Sequence, residues 1–216
     1  DNFSLQTTRT RTLKSTRGNI YDRNGNVLAS NELSYSVTLE DNGTYSTTRE
    51  RNLSLNGEIY RILQIVEENG DSLSSGFHVV LDDSGSYAYD VEGVSLQRFR
   101  ADVYGHSLID DLKSEEADAT AEEMMEDLAD RFGLTDPKDK PYSEEELLEV
   151  GLPQELTKEE ILKIVTVRYA MSIVSFQRYM PVTIASDVSE ETASAILENQ
   201  PTLQGVDVAE DSIRVY

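Results

Sequence analysis

An α+β fold is predicted for this 216-residue chain, from three observations. Short alternating stretches cluster near both ends. The segment between them carries helical periodicities opened by Ser or Thr with Glu three residues later. Turn residues separate the elements at short intervals. The simplest way to satisfy strands at opposite ends is to pair them with each other, with the helices inserted between. That gives a strand platform from residues 1–48 and 178–216 and a mostly helical inserted subdomain over 49–177.

The elements follow in order. Thr8-Arg9-Thr10-Arg11-Thr12 has β propensity but no apolar face. Arg17-Gly18-Asn19-Ile20-Tyr21-Asp22-Arg23-Asn24-Gly25-Asn26-Val27-Leu28-Ala29 reads as strand, turn and strand, because Asn-Gly tolerates the positive φ angles of a two-residue hairpin turn. Arg17, Asp22 and Arg23 lie within seven residues, and two guanidiniums near one carboxylate predict an ion-pair cluster, with Arg17 and Asp22 buried or half-buried together. Leu33 to Leu39 alternates, placing Tyr35, Val37 and Leu39 on one buried face. Asp41 to Arg51 is polar and reads as loop.

Asn56 to Glu68 is predicted helical, since Ile59, Ile62, Leu63 and Val66 recur at i, i+3, i+4, i+7 and Asn69-Gly70 ends the run. Ser54 then reads as its N-cap. Phe77–Leu81 and Ser86–Val91 are short strands, and Leu96–Tyr104 is a helix. Thr120 with Glu123, Ser143 with Glu146 and Thr157 with Glu160 form three capping boxes, each opening a helix. The helix after Thr157 is apolar nearly all round, which marks it as central and buried. Val182–Ala185 is a strand, Ser189 caps a helix running to Glu198, and two strands, Val206–Val208 and Ile213–Tyr216, close the chain.

Bulk composition excludes several functions. The net charge is −22, from 19 basic and 41 acidic residues. Nucleic acid and anionic membrane surfaces call for clustered Lys and Arg, so neither is an expected partner. There is no cysteine, which removes disulfides and thiolate zinc sites. The longest apolar run, Ile161 to Phe176, is interrupted by Lys163 and Arg168 and falls short of the roughly 20 residues a bilayer requires. A chain of this length buries roughly 70% of its unfolded surface, enough for a real core.

Candidate chemical sites are few. His78 and His106 lack further ligands at metal spacing, and His78 reads as a structural, hydrogen-bonded residue. Asp22, Asn24 and Asn26 resemble the opening of a calcium loop, but Val27 stands where the glycine is required, and no glutamate follows at the twelfth position. Glu122/Glu126, Asp82/Asp83 and Asp110/Asp111 are carboxylate pairs of the kind an acidic chain produces without selection for chemistry. No cofactor or metal is expected, and no catalytic residue is assigned.

The hairpin string resembles the first motif of the non-catalytic N-terminal region of class B penicillin-binding proteins, R-G-x-I-x-D-R-N-G-x-x-L-A, at every fixed position. Its structural residues here are Arg17, Gly18, Asp22, Arg23, Asn24 and Gly25. The series from Tyr179 through Pro181 to Ala185, then Gly205-Val206-Asp207-Val208, then Arg214-Val215-Tyr216, is similar to the motif closing that region, with Pro181, Gly205, Arg214 and Tyr216 as its markers. The resemblance implies an elongated pedestal without catalysis of its own, and a parent that cross-links peptidoglycan through a serine acyl-enzyme. It also implies an N-terminal membrane helix upstream of Asp1 and an extracytoplasmic location. The partners implied are the parent's own transpeptidase domain, a membrane-embedded SEDS-type glycosyltransferase and other cell-wall synthesis proteins. Dimerisation is left open. No serine here is followed by lysine at +3, and Lys-Thr-Gly does not occur, so this chain is not expected to be an enzyme. Two other classes stay open from the residues alone: an unrelated secreted adhesion module, and a small hydrolase using paired carboxylates, which requires an acidic cleft with one raised carboxyl pKa.

Overall fold

The computed structural model describes residues 18–74, 76–135, 140–173 and 180–215. The elements run β1 (Ile20–Tyr21), β2 (Val27–Leu39), α1 (Thr48–Glu68), β3 (Val79–Leu81), β4 (Tyr87–Tyr89), α2 (Gly93–Tyr104), α3 (Ser114–Asp118), α4 (Ala121–Arg131), α5 (Glu144–Val150), α6 (Lys158–Ile173), β5 (Val182–Val188), α7 (Glu190–Asn199) and β6 (Val206–Val215). The fold is α+β. A four-stranded sheet has the order β1-β2-β5, with β6 also paired to β2, and a second sheet holds β3 and β4. The sheet therefore joins strands from both ends of the chain, and β2 is its shared member.

The chain divides into two compact units. One holds residues up to Ser34 with those from Glu210 onward, and the other spans Tyr35–Ala209. In the first, β1 pairs antiparallel with the start of β2, Ile20 opposite Ala29 and Tyr21 opposite Val27. Ala29 is buried there, while Ile20, Tyr21, Val27, Leu28 and Leu33 are exposed.

In the second unit β2 pairs antiparallel with β5, from Tyr35 opposite Val188 to Leu39 opposite Val182, with two irregularities in register. Asp187 takes positive φ (58°) at one of them, where an extra residue must be looped out. Val37 and Leu39 face inward and are fully buried, as the alternation predicts. They meet Ile59, Ile62, Leu63 and Val66 of α1, Ile164 and Val167 of α6, and Ala193 and Ile196 of α7 in one core. A second core gathers Phe77, Val79, Phe99, Met124, Met125, Leu128 and Phe132 around Val165 and Tyr169. α6 thus supplies neighbouring residues to both cores, which explains why it is apolar nearly all round.

Local chemistry fixes the joints. The Thr120, Ser143 and Thr157 hydroxyls accept from the backbone N–H groups of Glu123, Glu146 and Glu160, whose carboxylates accept from the cap N–H groups. Asp71, just after α1, accepts from the Ser189 N–H (2.9 Å) and hydroxyl (2.7 Å) and from the Thr192 hydroxyl (2.5 Å), pinning the end of α1 to the start of α7. Gly57 allows α5 to approach α1, since a Cβ there would lie 2.1 Å from the Val150 carbonyl oxygen.

Several expectations are corrected. α1 begins two turns earlier than predicted, at Thr48. Thr47 is its cap, accepting from the Glu50 N–H at 3.1 Å, and Ser54 lies inside the helix. The polar run Arg49–Asn52 hid this turn, because Arg49 and Asn52 are used by partners remote in sequence, Glu146 and Arg168. The closing strands are one strand, Val206–Val215. The hairpin turn is not a two-residue one. Arg23, Asn24 and Gly25 form the loop, with the Asp22 N–H donating to Asn26 O (2.8 Å) and the Gly25 N–H to Asp22 O (3.1 Å). Gly25 has positive φ (86°), whereas Asn24 does not. The Thr8–Thr12 stretch lies outside the described residues.

Candidate functional site

Asp22 of the expected hairpin cluster anchors a turn. The Asp22 carboxylate accepts from the backbone N–H of Asn24 (2.8 Å), the backbone N–H of Asn26 (2.8 Å) and Asn26 Nδ2 (2.7 Å). The Asn26 side-chain and backbone bonds hold its pKa below the ordinary value. Asp22 is half-exposed, and Arg23 and Gly18 are exposed. The Arg17 side of the expected ion pair lies outside the described residues. Asp22→Ala removes three local bonds from a surface turn. Amide exchange at Asn24 and Asn26 should quicken about tenfold while the amides of α1 keep their protection.

The closing motif meets the sheet at Gly205. Its φ is 76°, and an added Cβ would lie 2.0 Å from the Glu40 carbonyl oxygen. The Glu40 N–H donates to Gly205 O at 2.9 Å, so the residue after β2 and the residue before β6 are held backbone to backbone. Pro181 stands immediately before β5 and is exposed. Arg214 lies in β6, and Tyr216 is outside the described residues.

Sequence reading missed a polar knot under α1. Arg168, on α6, is 4% exposed. Its Nη1 donates to Asn56 Oδ1 (2.9 Å) and its Nη2 to Asn52 Oδ1 (2.7 Å). Asn56 Nδ2 in turn donates to the Phe132 carbonyl oxygen at 2.9 Å. The guanidinium carbon sits 4.9 Å from the centre of the Phe132 ring. Burial first, then the nearby Arg51 charge, lowers the Arg168 pKa to about 10, so it stays charged at neutral pH. The one sequence signal was a cation within the largely apolar stretch Ile164–Val167 and Tyr169–Met171 of α6.

Beside this knot runs an open groove of about 660 Å³ between α1, α5 and the turn at 202–204. Ser54, Glu58 and Arg61 line it at i, i+4, i+7 on α1. Glu58 is 5% exposed. Burial, opposed by Arg61 and reinforced by Asp41, pushes its pKa up to about 7. On the opposite wall Glu146 is gripped by Arg49, Nε to Oε1 at 3.2 Å and Nη2 to Oε2 at 2.8 Å. That grip, with the Ser143 N–H, holds Glu146 down to about 2.

Two carboxyls with separated pKa values on one groove are what the hydrolase reading asked for. The geometry does not favour it. Both Glu146 oxygens are committed to Arg49, and Oε2 also accepts from the Ser143 N–H at 2.9 Å, leaving it poorly placed to activate water. One carboxylate in each of two pairs singled out in the sequence has a structural role as well. Glu122 takes Lys158 Nζ (2.8 Å) and the Tyr87 N–H (3.1 Å). Asp82 closes the β3–β4 turn through Ser84 and Ser86. His78 Nδ1 pairs with Asp90 (2.9 Å) and His106 Nε2 with Glu116 (2.7 Å). Among the described residues no three His, Asp or Glu side chains converge as a metal site.

Glu58 makes a pH prediction. A raised carboxyl pKa means that between about 4.5 and about 7 the folded chain keeps a proton the unfolded chain has released. Its contribution is therefore fully present below 4.5 and lost as pH rises through 7, about 3 kcal/mol in all. Unfolding free energies from denaturant titrations across this range should decline by about 3 kcal/mol less in Glu58→Gln than in the parent.

Comparison with known proteins gives the class. A family model described as the penicillin-binding protein dimerisation domain matches residues 12–216, and the chain belongs to that family. Among solved structures, penicillin-binding protein 2B of Streptococcus pneumoniae strain 5204 aligns at 16% identity and a TM-score of 0.39, over 93% of this chain and 25% of that one. The strain R6 protein aligns at 16% identity and a TM-score of 0.35, over 92% and 25%. The chain thus spans about a quarter of the length of those structures. No curated protein matches.

Proposed function

We infer that this chain is the non-catalytic pedestal of a peptidoglycan D,D-transpeptidase, holding the parent's catalytic domain and offering a surface to cell-wall synthesis partners, a SEDS-type glycosyltransferase among them. The observation that carries this reading is the family match over residues 12–216. Pairing of β2 with both β5 and β6 supports a platform built by the two chain ends, 1–48 with 178–216, bearing 49–177 as an insert. Catalysis belongs to the parent, because this sequence holds neither Ser-x-x-Lys nor Lys-Thr-Gly. The site of action is the outer face of the bacterial membrane, reached through an N-terminal helix of the parent. Among the described residues no helix is long and apolar enough to cross a membrane.

The test uses the full-length parent with residues 18–215 replaced by a flexible Gly-Ser linker. Acylation by a fluorescent penicillin should persist while complementation of a depletion strain fails. Full complementation by the linker variant, or turnover of a stem-peptide substrate by the isolated chain, would overturn the reading.

A further inference from the structure

Two buried polar atoms on α1 have no hydrogen-bond partner, Glu58 Oε1 and Arg61 Nε. One accepts and the other donates. They stand three residues apart, where the side chains of a helix are neighbours. Buried groups are seldom left unmatched, and these two complement each other. Arg61 is instead engaged elsewhere. Its Nη2 donates to the Thr202 carbonyl oxygen (2.9 Å), which ties the closing turn to α1. Its stem lies beside Gly151 at the end of α5, where an added Cβ would come within 3.3 Å of Arg61 Cδ. The stem is thus confined, and only the guanidinium has to turn for Arg61 to change partners. The Gln204 N–H donates to the Glu58 carboxyl, so Glu58 and Arg61 hold the same turn at two points.

We propose that Glu58 and Arg61 form a proton-operated latch on the turn that leads into β6. While Glu58 is neutral, Arg61 ties Thr202 to α1. When Glu58 ionises, the guanidinium swings to its carboxylate and the Thr202 carbonyl is released to solvent. A neutral carboxyl tolerates burial, whereas a buried carboxylate calls for a counter-ion, and Arg61 is the cation one turn away. The charges around Glu58 leave it as the operator. From the loop after β2, Asp41, paired with Arg51, raises the Glu58 pKa, and Tyr45 feels the Glu58 charge. Across the groove stand Glu146 and Glu149 of α5 and Lys140 before it, with Arg49 and Glu50 on α1 itself. The Arg49 grip holds Glu146 at about 2, and burial with the Asp41 charge pushes Tyr45 up to about 12, so neither changes charge near neutral pH. The inference goes beyond the pedestal reading and does not rest on it.

The test is an NMR titration of the 216-residue chain across neutral pH, reading the Glu58 carboxyl carbon, the Arg61 Nε–H and the Thr202 carbonyl carbon. All three should move together with one midpoint near 7, the Thr202 carbon shifting upfield as it loses its donor. Glu58→Gln cannot ionise, so the Arg61 and Thr202 signals should keep their low-pH positions throughout. Arg61→Met should raise the Glu58 midpoint by about one pH unit, because the charged form loses its partner. It should also leave the Thr202 carbon at its high-pH position at every pH. Static Arg61 and Thr202 signals while Glu58 titrates would overturn the latch, leaving water to meet the carboxylate. So would a Glu58 midpoint at the ordinary 4.5, or Arg61 and Thr202 shifts that persist in Glu58→Gln.

Discussion

Asn56→Ala should destabilise the chain by about 3–5 kcal/mol, the cost expected when a buried charge loses a partner. Asn56 is fully buried and works in both directions, accepting from Arg168 and donating to the Phe132 carbonyl. Alanine strips one of two amide oxygens from a cation that is 4% exposed and leaves a buried carbonyl without its donor. For a chain of this size the loss is roughly 10 °C in melting temperature, read by calorimetry. Asn56→Asp separates the two roles. It keeps an acceptor for Arg168 and abandons only Phe132, so its cost should be less than half as large. Equal losses in the two variants would show that the Phe132 bond, and not the guanidinium, carries the effect.

Gly205→Ala should cost roughly 3 kcal/mol or more, from two sources. The backbone at φ 76° is unfavourable for any residue with a Cβ, and that Cβ would sit 2.0 Å from the Glu40 carbonyl oxygen. The neighbour is backbone and cannot swing aside. Either the Glu40–Gly205 bond breaks or the start of β6 shifts away from the end of β2. Gly25→Ala is the matched control. Its φ is 86° but nothing lies within 4 Å of the added Cβ, so only the conformational cost of about 1–2 kcal/mol applies. If both variants lose the same stability, the close approach at Gly205 has no energetic weight.

Which features could be read from the sequence follows from how local their causes are. The Thr120, Ser143 and Ser189 caps depend on residues three positions apart, and the helices begin where those pairs stand. The α1 stripe and the alternation of Val37 and Leu39 are local as well, and their burial followed. The character of α6 was legible because a helix touching two cores shows few polar groups beyond its first turn and Lys163. What escaped depends on distant pairing. The first turns of α1 look like a charged loop until Arg49 meets Glu146, 97 residues away. Arg168 marks itself as odd, but Asn52 and Asn56 lie more than 110 residues distant and carry no sign of their role. Glu58 follows Asn56-Gly57 with nothing in its neighbours to mark it as buried, and Gln204, whose N–H donates to its carboxyl, lies far off in sequence. At the hairpin, the bonds of Asp22 to Asn24 and Asn26 are local, and Arg17, the other half of the expected ion pair, lies outside the described residues.

The account rests on strands from opposite ends of the chain sharing one sheet. Cross-strand nuclear Overhauser contacts on the 216-residue protein test this most directly. Val37 should show contacts to Ala185, and Leu39 to Val182, at the short separations of an antiparallel pair. If Val37 and Leu39 instead show cross-strand contacts only to residues within the first 48, the shared platform does not exist and the pedestal reading loses its structural basis.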